Sequence, residues 1–177
     1  MTTRKRLQLC PHDREWLGTF EAERERITAT LGSRLLHIQH VGSTSVPSLL
    51  AKPVVDIALA VESVTEADFC IEPLQALGYE YRGLHGDDER RRYYVLERGG
   101  RRIAQIHLWI LPAAGWDQML RFREVLRANP AVREAYAREK LRVAEMVDWD
   151  KAAYSLAKGP FIESILEREL RSTECKR

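Results

Sequence analysis

The sequence predicts an α+β domain: a mixed β-sheet entered through one helix and covered by a C-terminal helical layer, with the sheet part over about 1–112 and the helical part over about 113–177. Three observations predict it. The run Val54–Val61 is nearly all apolar and rich in β-branched residues, as a strand covered on both faces must be. The strand-like runs Tyr93–Glu97 and Arg102–Leu111 flank Gly99-Gly100, a hairpin signal that rules out an all-parallel sheet. From Trp116 onward, apolar residues recur at helical spacing.

Taken in order, Trp16, Leu17, Phe20, Ile27 and Leu31 repeat as one face of a helix from about Asp13 to Leu31, and Gly32 ends it. Leu35–Val41 suits a short strand, Gly42-Ser43-Thr44-Ser45 has the small side chains of a loop, and Lys52-Pro53 closes that excursion before the Val54–Val61 strand. Thr65 with Asp68 three residues later marks a helix start; Pro73 kinks or splits that helix, and Gly78 ends it. Strand resumes at Tyr79–Arg82, and a polar connector leads into the hairpin. Met119, Leu120, Phe122 and Leu126 form one helix and Asn129-Pro130 breaks it. Val132, Tyr136, Leu141 and Val143 take up a second. Asp150 caps a third that Gly159-Pro160 interrupts.

Composition narrows the class. A chain of 177 residues, 45% hydrophobic and 31% charged, builds one sizeable core, so a single domain over 1–177 is expected. Apolar runs stay well short of the roughly 20 residues of a membrane span, and Arg4, Lys5, Arg6, Arg14 and Glu15 occupy the place of a secretory apolar region; a cytoplasmic protein is expected. Cys10, Cys70 and Cys175 are odd in number and widely spaced, which predicts reduced thiols rather than a disulfide framework or a zinc site. The net charge of +2 is the remainder of 28 basic and 26 acidic side chains, so dedicated nucleic-acid binding is not expected. Arg90, Arg91, Arg92, Arg98, Arg101 and Arg102 crowd one region, as a solvated hairpin rim or as a lobe that attracts a phosphorylated ligand.

The chemistry concentrates between His40 and Asp56. Gly42-Ser43-Thr44-Ser45 supplies backbone N–H groups and three successive hydroxyls, the parts of a phosphate-cradling turn, and Lys52 adds a cation. Asp56 is a charge inside an apolar strand: it pairs with Lys52 or a core Arg, or it faces a polar cleft as general base or metal ligand. Strand parity puts Asp56 with Val54 and Ala58, and Gln105 and His107 on the hairpin face opposite the apolar set Ala104, Ile106, Leu108 and Ile110. His107 is then either a half-buried histidine bonded to backbone or a partner that converges with Asp56. His37 and His40 fall on opposite faces, which opposes a two-histidine metal site. A Ser45 hydrolase triad lacks its Gly-x-Ser-x-Gly elbow.

His40-Val-Gly-Ser-Thr-Ser-Val-Pro47 followed by Ala51-Lys-Pro-Val-Val-Asp-Ile57 closely resembles the signature of GrpB-like proteins, a family grouped with the nucleotidyltransferase superfamily of polymerase-β type. The resemblance continues through Leu77-Gly78-Tyr79-Glu80, Arg91-Arg92-Tyr93-Tyr94, Ile106-His107-Leu108, Phe122-Arg123, Tyr136 with Lys140, and Tyr154 with Lys158. It implies a mixed sheet of nucleotidyltransferase type whose second strand follows a Gly-Ser loop and carries two acids, a third lying on a later strand. Those acids hold divalent metal, magnesium, across nucleotide phosphates. Here Asp56 takes the place of the second acid, Val54 that of the first, and His107 that of the third. One carboxylate and one imidazole supply less anionic charge than two metal ions demand.

Three smaller departures are Ser48 where the family pattern has Gly, Trp109 where a second His is frequent, and Gly159-Pro160, which interrupts the spacing from Lys158 to Phe161. The resulting expectation is a nucleotide or other phosphorylated or carboxylated metabolite bound by Gly42, Ser43, Thr44 and Ser45. Arg92, Arg123, Lys140 and Lys158 bring positive charge, while Asp56, His107 and Lys52 carry any transferase chemistry and Asp56 holds any magnesium. The alternative is a module with a degenerate active site that binds small molecules without catalysis, or binds a protein through its helices.

Overall fold

The computed structural model describes residues 6–85 and 88–174, so Arg4, Lys5 and Cys175 lie outside the described residues. Helix α1 (Glu15–Leu31) begins once Asp13 has accepted a hydrogen bond from the Glu15 backbone N–H at 2.9 Å, and ends where Gly32 takes φ +57°. Its buried stripe, Trp16, Phe20, Ile27 and Leu31, lies on one face of the sheet.

The five strands are β1 (His37–Val41), β2 (Val55–Val61), β3 (Tyr79–His85), β4 (Asp88–Arg98) and β5 (Arg101–Ile110), arranged in the order β1-β2-β5-β4-β3. β2 and β5 run parallel; the β1/β2, β5/β4 and β4/β3 pairs are antiparallel, so the sheet is mixed as predicted. Between β2 and β3 run the short helices α2 (Val64–Phe69) and α3 (Ile71–Ala76). Ser63, not Thr65, caps α2, by accepting from the Glu66 N–H at 3.2 Å. The predicted split falls at Cys70, and Pro73 occupies the first turn of α3, where a missing N–H costs no helix bond.

The strands outrun their sequence signals. β3 continues past Arg82, and β4 begins at Asp88 in what reads as polar connector, because pairing such as Arg91↔Trp109 carries the ladder through charged residues. Alternation then assigns the faces. Val55, Ile57, Leu59 and Val61 pack with Ala104, Ile106, Leu108 and Ile110 under α1 to α3. Val41, Ala58, Ala60 and Trp109 lie on the other face.

That second face is covered by α4 (Ala114–Ala128), joined by α5 (Pro130–Met146), α6 (Lys151–Ala157) and α7 (Gly159–Glu174). Asn129-Pro130 separates α4 from α5 as predicted, with Asn129 capping α5 and Pro130 behind it, and Asp150 caps α6, also as predicted. Val46, Leu49, Leu126 and Tyr136 make a separate cluster that seats the Gly42–Pro53 excursion against the helices. No helix among the described residues is long and apolar enough to cross a membrane.

A buried carboxylate ties α1 to the far side of the sheet. Glu23, 2% exposed, accepts from Arg26 at 2.7 and 2.8 Å, from Arg98 at 2.9 Å and from the Tyr79 hydroxyl at 3.0 Å. Tyr79 is itself buried, and its hydroxyl is held far above the usual phenol range by burial and by the Glu23 charge. Replacing Tyr79 by Phe removes a buried bond to a charged acceptor and is expected to lower unfolding stability by about 1–2 kcal/mol. Arg98→Ala removes a solvent-screened partner and costs less than about 1 kcal/mol. Urea denaturation of both variants measures the difference; an equal loss would contradict this ranking.

Candidate functional site

At the end of β1 the chain turns over the edge of β2. Gly42 takes φ +68°, and a Cβ there would overlap the Asp56 carboxylate, because Val41 and Asp56 are paired in register. Ser43–Ser45 form one 3-10 turn, closed by Ser45 Oγ donating to Gly42 O at 2.6 Å. His40 bonds Thr44 Oγ1 through Nε2 at 3.0 Å and stacks on Phe20 with centroids 4.7 Å apart. Burial pushes the His40 imidazole down to about 4.

Helix α4 grips the same segment: Arg123 donates to His40 O at 2.7 Å and to Gln39 Oε1 at 3.0 Å, and Arg127 donates to Ser45 O at 2.8 Å. From α5, Lys140 donates to Ser43 Oγ at 2.8 Å and also to Leu50 O. Ser48 stands at φ +64°, backbone that favours glycine, which gives a physical reason for the glycine in the family pattern.

Asp56 does not pair with Lys52 or a core Arg. Its Oδ1 accepts from Gln105 Nε2, directly opposite on β5, and from His107 Nε2 at 3.2 Å. The Nδ1 of His107 faces Arg91 Nη2, which must donate, so the neutral Nε2–H tautomer fits both contacts. Tyr93 donates to Gln105 Oε1 at 2.6 Å and accepts from Arg102 at 3.2 Å, which orients the amide nitrogen toward Asp56. Burial raises the Asp56 carboxyl, but the His107 and Gln105 bonds outweigh it and leave the group below its usual value. Burial, reinforced by Arg91, lowers His107 against the opposing pull of Asp56.

The far side of Asp56 faces a cavity of about 130 Å³. Gly42, Ser43, Thr44, Asp56 and Gln105 form one wall; Lys52, Lys140, Lys151 and Lys158 approach from the others, with Phe122, Tyr136 and Tyr154 between them. Lys52 and Lys158 place Nζ over the Tyr154 ring at 5.4 and 5.6 Å. Burial and then the neighbouring Lys158 push Lys52 down to about 8; burial, Lys158 and Lys52 push Lys140 down to about 7. Lys158 is lowered by burial. Asp56 is the single carboxylate among the described lining residues, beside four lysines.

Seven residues anticipated as functional thus meet at one cavity: Gly42, Ser43, Thr44, Lys52, Asp56, Lys140 and Lys158. The predicted convergence of Asp56 with His107 is present, but His107 stands behind the carboxylate rather than in the cavity wall, and Gln105 takes the exposed place. Ser45 and Arg123 hold the turn instead of lining the cavity. Arg92 requires a correction. It shares parity with Tyr94, lies on the opposite sheet face, and donates to Glu89 O at 2.6 Å and to Asp68 at 3.3 Å. Lys151, Tyr136 and Tyr154 were missed as lining residues. Their signal was present in helical spacing, since Lys151, Tyr154 and Lys158 recur at i, i+3 and i+7, and Tyr136 with Lys140 at i, i+4.

The donors do not fit a pair of magnesium ions. Val54 lines the cavity at the place of the first acid, Gln105 is an amide, and the lysines oppose added cations. Among the described residues, no group of three His, Cys, Asp or Glu side chains could hold a metal.

Residues 6–168 match the protein-family profile described as GrpB protein. A UPF0157 protein of Halalkalibacterium halodurans is 34% identical over 163 residues, which cover 92% of this chain and 82% of that protein. The crystal structure of conserved protein GrpB from Enterococcus faecalis superposes with a TM-score of 0.83 at 29% identity, covering 94% of this chain and 99% of that one. Cid1, in complex with its short product ApU, superposes with a TM-score of 0.54 at 16% identity over 76% of this chain and 42% of that one, a likeness of fold.

Two stability measurements test this geometry. Gly42→Ala is expected to cost about 2–4 kcal/mol, from left-handed backbone strain and displacement of Asp56; an unchanged urea midpoint would contradict the close approach. Lysines with native values of about 7 and about 8 bind fewer protons folded than unfolded up to the ordinary lysine range. Stability therefore rises from pH 7 toward pH 9. Above that, Cys70, raised by burial from 9.0 to about 11, contributes in the opposite direction. Lys140→Met should flatten the rise between about pH 7 and 9, as urea midpoints across that window report.

Proposed function

The chain belongs to the GrpB family, and we propose that its lysine-lined cavity binds the phosphate group of a small metabolite, a nucleotide or another phosphate ester. The observation that carries this reading is the convergence of Lys52, Lys140, Lys151 and Lys158 on the Gly42–Thr44 turn, with one carboxylate among the described lining residues. A phosphate there takes hydrogen bonds from the Ser43 and Thr44 hydroxyls and from Lys140, and restores the charged form of lysines that burial disfavours. The Tyr154 hydroxyl is buried without a hydrogen-bond partner among the described residues, which supplies one more donor at the cavity. A carboxylate would meet the same cations, but fewer of these donors.

A second reading is favoured by Asp56, ionised in the cavity wall, and by the Cid1-like fold. In it Asp56 accepts the proton of an attacking hydroxyl whose oxygen bonds to the α-phosphorus of a nucleoside triphosphate as the bond to the departing pyrophosphate breaks; Gln105 and His107 hold the carboxylate in position, and the lysines stabilise charge on the pyrophosphate.

Calorimetry with inorganic phosphate, ATP, CTP, GTP and UTP, with and without magnesium, tests both readings. Binding at pH 7 is expected to weaken at least about tenfold in Lys140→Met, the loss of a charge-assisted hydrogen bond. Proton uptake should appear as an enthalpy that depends on the buffer, and affinity should fall from pH 7 to 9 as Lys140 and Lys52 deprotonate. Asp56→Asn separates the readings: it tightens phosphate binding by removing a like charge, and abolishes turnover if Asp56 is the base. Absence of binding by every phosphate compound would overturn the proposal.

A further inference from the structure

The cavity against Asp56 is small. Its volume of about 130 Å³ falls below the roughly 300–1,000 Å³ of ordinary metabolite sites. A compact anion fits within it, whereas a larger molecule must continue outside. Lys52, Val54 and Lys151 line this cavity and also a broad surface groove of about 940 Å³ between the N-terminal segment and the β4–β5 turn. Arg6, Arg101 and Arg102 extend the positive lining of that groove. Glu15 and Glu97 are the acids among its described lining residues, and Glu97 already lies 3.7 Å from Arg102. The cations therefore continue from Lys140 and Lys158 inside, past Lys52 and Lys151 at the shared wall, to Arg6 and Arg101 outside.

We infer that the site takes an oligophosphate chain, with one phosphate in the lysine cavity and the following phosphates passing Lys52 and Lys151 into the arginine groove. The inference rests on the phosphate reading of the cavity and extends it to a ligand class. Two features select contiguous phosphates over two anions on a neutral spacer, or over a strand of bases. Cationic side chains occur in the cavity, at the shared wall and in the groove. The described groove lining also contains no aromatic side chain on which a base would stack. Arg102 keeps its Nε–H buried without a partner among the described residues, next to the groove it lines.

The test compares inorganic phosphate with tripolyphosphate by calorimetry at pH 7 and near-physiological salt, using the full chain. Tripolyphosphate is expected to bind at least tenfold more tightly. The double variant Arg6→Ser with Arg101→Ser, both exposed positions, should remove most of that advantage while leaving phosphate affinity within about twofold. Arg24→Ser with Arg34→Ser removes the same charge from α1 and the turn after it and should change neither affinity, which separates a groove from general attraction. Equal binding of the two anions, or equal losses in both double variants, would overturn the oligophosphate path while leaving the phosphate cavity intact. Tripolyphosphate binding that requires Arg6 and Arg101 but ignores Lys140→Met would instead overturn the cavity reading. Failure of both anions to bind would overturn both.

Discussion

The approach of the Gly42 backbone to the Asp56 carboxylate sets the geometry on which the rest of the site depends. β1 and β2 are paired so that the turn leaving one strand lies against the side chain of the other, and only a residue without Cβ fits there. From that contact the Ser43–Ser45 turn is aimed back toward α5, where Lys140 reaches Ser43, while Arg123 and Arg127 fix the backbone on either side. The turn is thus held by side-chain bonds from the helical layer as well as by its own backbone. This is the arrangement expected of a binding element preorganised before its ligand arrives.

Asp56 illustrates how a buried carboxylate is kept ionised without a direct cationic partner. Two chains of donors along β4 and β5 meet at Asp56, one from Arg102 through Tyr93 and Gln105 and the other from Arg91 through His107. The arginines sit at the ends of those chains, so their charge is felt through neutral groups, and the cavity side of Asp56 stays open. A carboxylate paired directly with Lys52 would have neutralised both groups and closed the space between them.

Much of this was legible in the sequence because it follows from alternation. An apolar strand interrupted by Asp56, and a hairpin strand whose odd positions hold Gln105 and His107, place those side chains on one face once the two strands pair in parallel. Which of Gln105 and His107 meets Asp56 squarely depends on register, and register follows from the packing of the whole sheet. Arg92 was misplaced for a related reason: its neighbours in a run of arginines have equal charge, and one step of parity sends it through the sheet to Asp68. Lys151 and the tyrosines of the cavity come from helices whose docking against the turn has no local signal, although their helical spacing shows that they share a face. The longer β3 and β4 were hidden because charged residues near a sheet edge resemble a connector.

The cavity draws its walls from widely separated parts of the chain: Leu9 before α1, the turn after β1, the middle of β5, and α4 through α7. During synthesis the turn and Asp56 emerge roughly 100 residues before Lys158, so the nascent sheet holds half a site until the last helices dock. Docking then buries Lys140 and partly buries Lys158 beside like charges, which opposes assembly of the helical layer. On the proposed phosphate reading, an anion captured at that stage would relieve the repulsion and bind the finished arrangement in preference to its precursors. In a newly made chain the ligand would act as the fastener between the two halves.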